Sequence, residues 1–317
     1  MIEAQELTRN FGDFTAVGGV SFAVPEGEIV GILGPNGAGK TTTIRMITGF
    51  LPPTSGRVTL DGRDLFGDSV AVRREIGYLP ESVALYPELR VEEYLQYRAR
   101  LEGMERGAIA KRLDEVLDSC LLTDVRRQVI GTLSKGYRQR VGLAGAIFHE
   151  PRVLILDEPT VGLDPKQIVA IRELIRDLGR RHTILLSTHI LPEVELLCSR
   201  VLIIDRGRIV AEGTPQSLRD RFHGSVGVSV ELAEEAPDAA AALAGVAGVT
   251  RVSADPEDGR RFVLECEQGS DPRAAVFRLA VERGWVLTGL AAERASLEDV
   301  FVRLTARDAA PSTEEAA

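Results

Sequence analysis

Eight consecutive residues, Gly34-Pro35-Asn36-Gly37-Ala38-Gly39-Lys40-Thr41, match G-x-x-x-x-G-K-[ST] throughout. Glycines let the backbone curl so that successive N–H groups point inward at a polyphosphate. A helix starting there adds the partial positive charge of its N-terminus. Lys40 supplies a point charge for the β- and γ-phosphates, and it is one of only four lysines among 38 basic residues. The Thr41 hydroxyl suits Mg²⁺, and Thr42 continues the binding stretch. A second chemical element is Val153-Leu154-Ile155-Leu156-Asp157-Glu158, an apolar run ending in two carboxylates. Asp157 can face a metal shell, and Glu158 can polarise an attacking water. An acidic pair after a strand is usually a solvated turn. Paired with a phosphate loop in the same chain, it gains meaning.

The elements around these residues must hold them at one edge. Glu28–Leu33 reads as a short buried strand entering the glycine loop, and Arg152–Leu156 and Thr183–Ser187 read alike. Continuous apolar strands separated by helices predict a parallel sheet covered on both faces. Met1–Thr8 with Gly18–Val24, and Arg57–Leu60 around Asp61-Gly62, predict antiparallel pieces. Val201–Glu212 reads as a closing hairpin, and Val91–Asp124 as a charged helical insertion. After His223-Gly224-Ser225 the order becomes β-α-β-β-α-β, the ferredoxin-like pattern, with strands at Val226–Leu232, Val249–Ser253, Arg261–Glu267 and Trp285–Leu290. A last helix, Leu297–Leu304, has Ser296 as its N-cap. The expected domains are therefore 1–222, an α/β nucleotide-binding domain, and 223–305, a small α+β domain. Residues 306–317, small and acidic, read as a disordered tail.

Composition narrows the function. The chain has 317 residues and a net charge of 38 − 47 = −9. Residues 1–222 carry 29 basic against 30 acidic side chains, and residues 223–317 carry 9 against 17. That balance argues against gripping nucleic acid through the net field. No apolar stretch approaches the ~20 residues of a membrane span, and the acidic start lacks a signal-type apolar run. Cys120, Cys198 and Cys266 are too few and too far apart for a disulfide framework or a zinc spacing. These features predict a soluble, cytoplasmic chain.

Three further segments make the sequence recognisable. Leu133-Ser134-Lys135-Gly136-Tyr137-Arg138-Gln139-Arg140 resembles the signature motif of ABC transporter ATP-binding subunits. Gly162-Leu163-Asp164-Pro165 looks like that family's D-loop, and Ser187-Thr188-His189 like its histidine switch. The resemblance covers about residues 2–220, in order and spacing. It implies a P-loop ABC-type ATPase fold, with ATP and Mg²⁺ as ligand and cofactor. Phe11 matches the aromatic that stacks on adenine. By the same resemblance Glu158 is the general base, and His189 orients the γ-phosphate and water. Two such domains pack head to tail, so that Ser134 and Gly136 face the nucleotide of a second subunit, expected to be another copy of this chain. Asp164 couples the two sites. Two departures stand out: Glu81 replaces the Q-loop glutamine, still able to reach Mg²⁺ with Thr41 and Asp157 but bringing an extra negative charge near the γ-phosphate, and Lys135 and Tyr137 replace Gly and Gln.

Ile76-Gly77-Tyr78-Leu79-Pro80-Glu81, Leu85-Tyr86-Pro87-Glu88-Leu89 and Ser296–Phe301 resemble the export-type subclass with a separate permease, including gliding-motility-associated and drug-export ATP-binding subunits. The resemblance implies an integral membrane permease as partner and a place on the inner face of the cell membrane. Leu85, Tyr86, Pro87 and Leu89 are the expected lining of the permease groove. The alternative is a soluble ABC ATPase acting on a ribosome or nucleic acid. A single cassette, the absence of heptads and the acidic balance weigh against it. A third reading makes residues 226–304 a sensing or dimerising module.

Overall fold

The computed structural model describes residues 2–67, 69–222, 227–255, 258–267, 270–293 and 297–306. Met1–Pro215 forms one compact unit, and the chain from Gln216 onward forms another. The division precedes helix-ending Phe222, while the expected His223–Ser225 boundary lies outside the described residues.

In the first unit, β1 (Ile2–Phe11) and β2 (Phe14–Val24) form an antiparallel hairpin, followed by β3 (Ile29–Leu33) and α1 (Lys40–Ile47). Next come β4 (Ser55–Leu60), β5 (Arg63–Asp64), α2 (Ser69–Arg73) and β6 (Ile76–Leu79). A helical stretch contains α3 (Val91–Leu101), α4 (Arg106–Ser119) and α5 (Lys135–Ile147). The chain then alternates β7 (Val153–Asp157), α6 (Pro165–Leu178), β8 (Thr183–Thr188) and α7 (Leu191–Leu197), closing with β9 (Arg200–Asp205) and β10 (Arg208–Gly213).

Two sheets result, one ordered β2-β1-β4-β5 and one ordered β10-β9-β3-β8-β7-β6. In the second sheet β6, β7, β8, β3 and β9 are parallel neighbours, and only β10 runs antiparallel. Every residue of β7 and β8 is buried, as expected for strands covered on both faces. Helix α6 shows how the covering is built. Its buried Ile171, Leu174, Ile175 and Leu178 follow the helical repeat, each contributing about 1.5–3 kcal/mol by leaving water. Asp164 caps it by accepting from Gln167 N–H at 2.9 Å, and Pro165 occupies the first turn.

This topology fixes the site. With β8 between β3 and β7, register pairs Leu33 with Thr188 and Asp157 with Ser187. The phosphate loop, the two acids and the histidine therefore leave the same carboxyl edge of a parallel sheet, the usual place for a ligand.

The second unit contains α8 (Pro215–Phe222), β11 (Gly227–Leu232), α9 (Ala239–Ala244), β12 (Val249–Ala254), β13 (Arg261–Cys266), α10 (Arg273–Arg283), β14 (Leu287–Glu293) and α11 (Leu297–Ala306). Its antiparallel sheet is ordered β12-β13-β11-β14, the arrangement of the ferredoxin-like pattern. Burial alternates along β11 and β13, so one face packs and one does not. Val228, Val230, Leu232, Phe262, Leu264 and Cys266 fill the core with Leu243 and Val276. The final helix runs two residues beyond the expected Leu304, and Ala306, assigned to the tail, is helical. Ser296 and residues 307–317 lie outside the described residues.

Candidate functional site: a nucleotide cleft

Gly39 has φ 100°, and a Cβ there would lie 2.7 Å from the Ala16 carbonyl. A side chain at Gly34 would strike the Ile204 backbone. Only glycine meets both demands, conformational and steric. The loop delivers Lys40, 6% exposed, into a ring of acceptors: Gly34 O at 2.9 Å, Pro35 O at 3.3 Å and Glu158 Oε1 at 3.4 Å. An ammonium has three donors, so its position is fully determined.

Asp157 and Glu158 are both buried. Asp157 Oδ1 accepts from Ser187 Oγ at 2.6 Å and from Thr41 Oγ1 at 3.4 Å. Burial pushes the Asp157 carboxyl above the ordinary aspartate range, and the charges of Glu81 and Glu158 act in the same direction, against the Ser187 and Thr41 hydrogen bonds. Glu158 has φ 48°, a left-handed conformation that costs a non-glycine residue about 1–3 kcal/mol and gathers at functional sites. Its N–H donates to Ser187 Oγ at 3.1 Å. Its second carboxylate oxygen lies 2.9 Å from Nδ1 of half-exposed His189. Lys40, Glu158 and His189 thus form one contiguous chain of polar contacts.

These groups open into a cleft of about 590 Å³. Phe11, Asn36, Gly37, Gly39, Lys40, Thr41, Thr42, Glu81, Glu158 and His189 line it, and Phe14, Ala16 and Val161 join them. Phe11 and Phe14 are 49% and 65% exposed, facing each other in register across the Gly12-Asp13 turn. The Arg9 guanidinium lies 4.8 Å from the centre of the Phe11 ring. Ala38 is buried beneath the loop, and Gly34 contributes through its carbonyl.

Ser134, Gly136 and Asp164 do not line this cleft. They come together elsewhere, at the start of α5. Ser134 accepts from Tyr137 N–H at 3.4 Å, a Cβ on Gly136 would lie 2.6 Å from the Gln167 amide carbon, and the Lys135 ammonium touches Gly162. The signature segment and the Gly162–Pro165 turn therefore pack on one another within one chain.

The oxygens present fit a Mg²⁺ ion. Asp157 Oδ2 is buried without a hydrogen-bond partner, the Thr41 hydroxyl is beside the same carboxylate, and Glu81 opens on the cleft. Among the described residues no group of three or more His, Cys, Asp or Glu could hold a metal. Mg²⁺ commonly takes one or two protein oxygens and completes its shell with water and phosphate.

A separate groove of about 460 Å³ lies between Arg45, Phe50, Tyr78–Pro80, Ser82–Ala84, Tyr94 and Arg98. Phe50 is 75% exposed there. The expected lining, Leu85, Tyr86, Pro87 and Leu89, is not part of it. Tyr86 turns onto Tyr94 and Tyr97, with ring centres 6.3 and 5.5 Å apart. Backbone bonds from Ile130 and Gly131 N–H to Leu89 and Pro87 O hold that turn against the segment preceding α5. Spacing alone does not show which side of such a turn is covered.

A phosphate loop, an acid-tipped buried strand and a histidine converging at the carboxyl edge of a parallel sheet define a P-loop nucleoside-triphosphate hydrolase. The family model described as ABC transporter matches residues 17–161. The linearmycin resistance ATP-binding protein LnrL of Bacillus subtilis is 38% identical, over 74% of this chain and 75% of that protein. The Nod factor export ATP-binding protein I of Ralstonia nicotianae is 36% identical, over 97% of this chain and 94% of its own. A dimeric ATP-binding cassette in a post-hydrolysis state bound to ADP and Pi superposes with a TM-score of 0.62 at 26% identity, covering 68% of this chain and 98% of that one. The chain belongs to the ABC transporter ATP-binding proteins, which bind and hydrolyse ATP and work as dimers.

Proposed function

We propose that this chain is the ATP-hydrolysing subunit of an export system whose membrane-spanning part is a separate permease. The observation that carries the chemistry is the Lys40–Glu158–His189 chain of contacts in one cleft. ATP would place its β- and γ-phosphates against the loop N–H groups and Lys40, and its adenine against Phe11 and Phe14. Thr41 and Asp157, with Glu81 nearby, would hold Mg²⁺, which when bound neutralises phosphate charge. Glu158 accepts a proton from the attacking water, and His189 holds the γ-phosphate and orients that water.

Ser134 and Gly136, remote from their own chain's cleft, are free to serve the nucleotide of a second copy. Closure is favoured while a γ-phosphate bridges the two subunits, and hydrolysis removes the contact that distinguishes closed from open. Among the described residues no helix is long and apolar enough to cross a membrane. On this reading transport runs through a partner, and the Phe50–Tyr94 groove is the apolar seat for a short permease helix on the inner membrane face. The relatives named for resistance and export support that direction.

The test is Glu158→Gln. ATP affinity should stay within about threefold, turnover should fall at least ~100-fold, and the variant should accumulate as an ATP-bound dimer in size-exclusion chromatography. Near wild-type hydrolysis would remove Glu158 from the role of base.

A further inference from the structure

Behind the cleft is a buried acid that the chemistry above does not use. Glu193, on α7, is 1% exposed. A carboxylate so placed is unfavourable unless its oxygens are hydrogen-bonded and its charge is matched. Here one oxygen accepts from Thr160 Oγ1 at 2.5 Å and the other from Thr188 Oγ1 at 3.0 Å. Arg172 of α6 stands 3.5 Å from the first oxygen.

The identity of those partners gives the contact its meaning. Thr160 is two residues beyond Glu158, and Thr188 immediately precedes His189. The Thr188 oxygen also accepts from Ile190 N–H at 3.0 Å while its hydroxyl donates to Glu193, so both sides of that hydroxyl are engaged. One side chain thus ties the segment carrying the base to the segment carrying the histidine. Glu158 adopts φ 48° between two anchors, Ser187 on its own N–H and Glu193 at Thr160. Arg172 extends the tie to α6, the helix capped by Asp164.

We propose that Glu193 is a positioning residue that sets the distance and angle between Glu158 and His189. The inference rests on the reading of those two as the hydrolytic pair. A shift of about 1 Å in a positioned base can lower a rate a hundredfold. Glu193→Ala should therefore lower kcat by roughly ten- to a hundredfold, with KM for ATP changing less than about twofold. Glu193→Gln, which keeps one acceptor oxygen but loses the charge opposite Arg172, should fall between that variant and wild type.

A merely structural role is separated by the double variant Glu158→Gln, Glu193→Ala. It should form the ATP-bound dimer at the same ATP concentration as Glu158→Gln alone, because positioning for hydrolysis is not needed to bind. Loss of that dimer, or a rise in KM matching the fall in kcat, would overturn the proposal. So would wild-type kcat in Glu193→Ala when Glu158→Gln is inactive. If Glu158→Gln itself hydrolyses ATP normally, the base assignment fails, and kcat of Glu193→Ala still reports on Glu193. Should Glu193→Ala not fold, Thr188→Val takes its place, keeping the side-chain shape and removing one hydroxyl. A reduced kcat at unchanged KM is expected from it, and wild-type kcat would contradict the proposal.

Discussion

Burial keeps the Asp157 carboxyl holding its proton more tightly in the folded chain than in the unfolded one. Its contribution to stability therefore falls as pH rises from the ordinary aspartate range through the raised value, and stays low at neutral pH. Asp157→Asn removes that slope. The nucleotide-free protein should gain on the order of 1 kcal/mol, read as a higher Tm, as happens when a functional group is replaced for stability. Mg²⁺-dependent hydrolysis should be lost. An unchanged or lower Tm near neutral pH would contradict this account of Asp157. At the proposed adenine end, Phe11→Ala and Phe14→Ala should each raise KM for ATP with kcat little changed, stacking being worth about 1–3 kcal/mol per base. Phe11 was legible from its match to a motif, whereas Phe14 was not. Both stand in a hairpin whose polar Arg9-Asn10 interrupts the apolar alternation, so the strands read shorter than they are. Ser187, which orients Asp157, and Glu193, which braces Thr160 and Thr188, were also illegible. Their roles come from register and three-dimensional proximity, and a hydroxyl or an acid carries no such mark in sequence.

Elements were easier to read than their faces. Buried strands announced themselves as continuous apolar runs, and Arg152–Leu156 and Thr183–Ser187 fall within a residue of β7 and β8. The turn at Leu85–Leu89 shows the opposite case, apolar composition being no guide to which neighbour is covered. Its Tyr86 packs on α3 through Tyr94 and Tyr97, while Phe50, from the other side, borders the groove. Phe50→Asp should accordingly weaken permease association at least about tenfold, a buried apolar anchor being worth ~1.5–3 kcal/mol. ATPase rate of the isolated subunit should be unchanged, since Phe50 does not line the nucleotide cleft. Retained permease binding, measured by co-purification of Phe50→Asp beside the unmodified chain, would move the docking site elsewhere. In the second unit the β-α-β-β-α-β order was legible in part for a similar reason, β11 and β13 alternating between buried and open positions. Glu265 and Cys266 fall on opposite faces there. Cys266 is in the core and Glu265 lies 3.9 Å from Arg251, so the pair forms no ligand set.

The whole molecule divides between a unit that holds the nucleotide cleft and a smaller unit whose sheet has a packed face and an open one. Along that open face the Arg261–Glu231 ion pair sits beside Ser229, Val263 and Ala291. All three cysteines are unpaired and buried, with burial pushing the thiols of Cys120 and Cys198 up to about 12, so thiol chemistry plays no part in the account. Deleting the chain after His223 should leave ATP binding intact, because every residue of the cleft precedes it. Loss of nucleotide affinity on truncation would contradict that independence. The central claim is that hydrolysis in this cleft powers a separate permease. The measurement that tests it most directly is purification of the chain from its native membranes in mild detergent, with identification of what accompanies it. A stoichiometric integral membrane protein whose presence changes the ATPase rate is the predicted result. Ribosomal proteins, or a dimer with no membrane protein attached, would contradict the claim and leave ATP hydrolysis without transport.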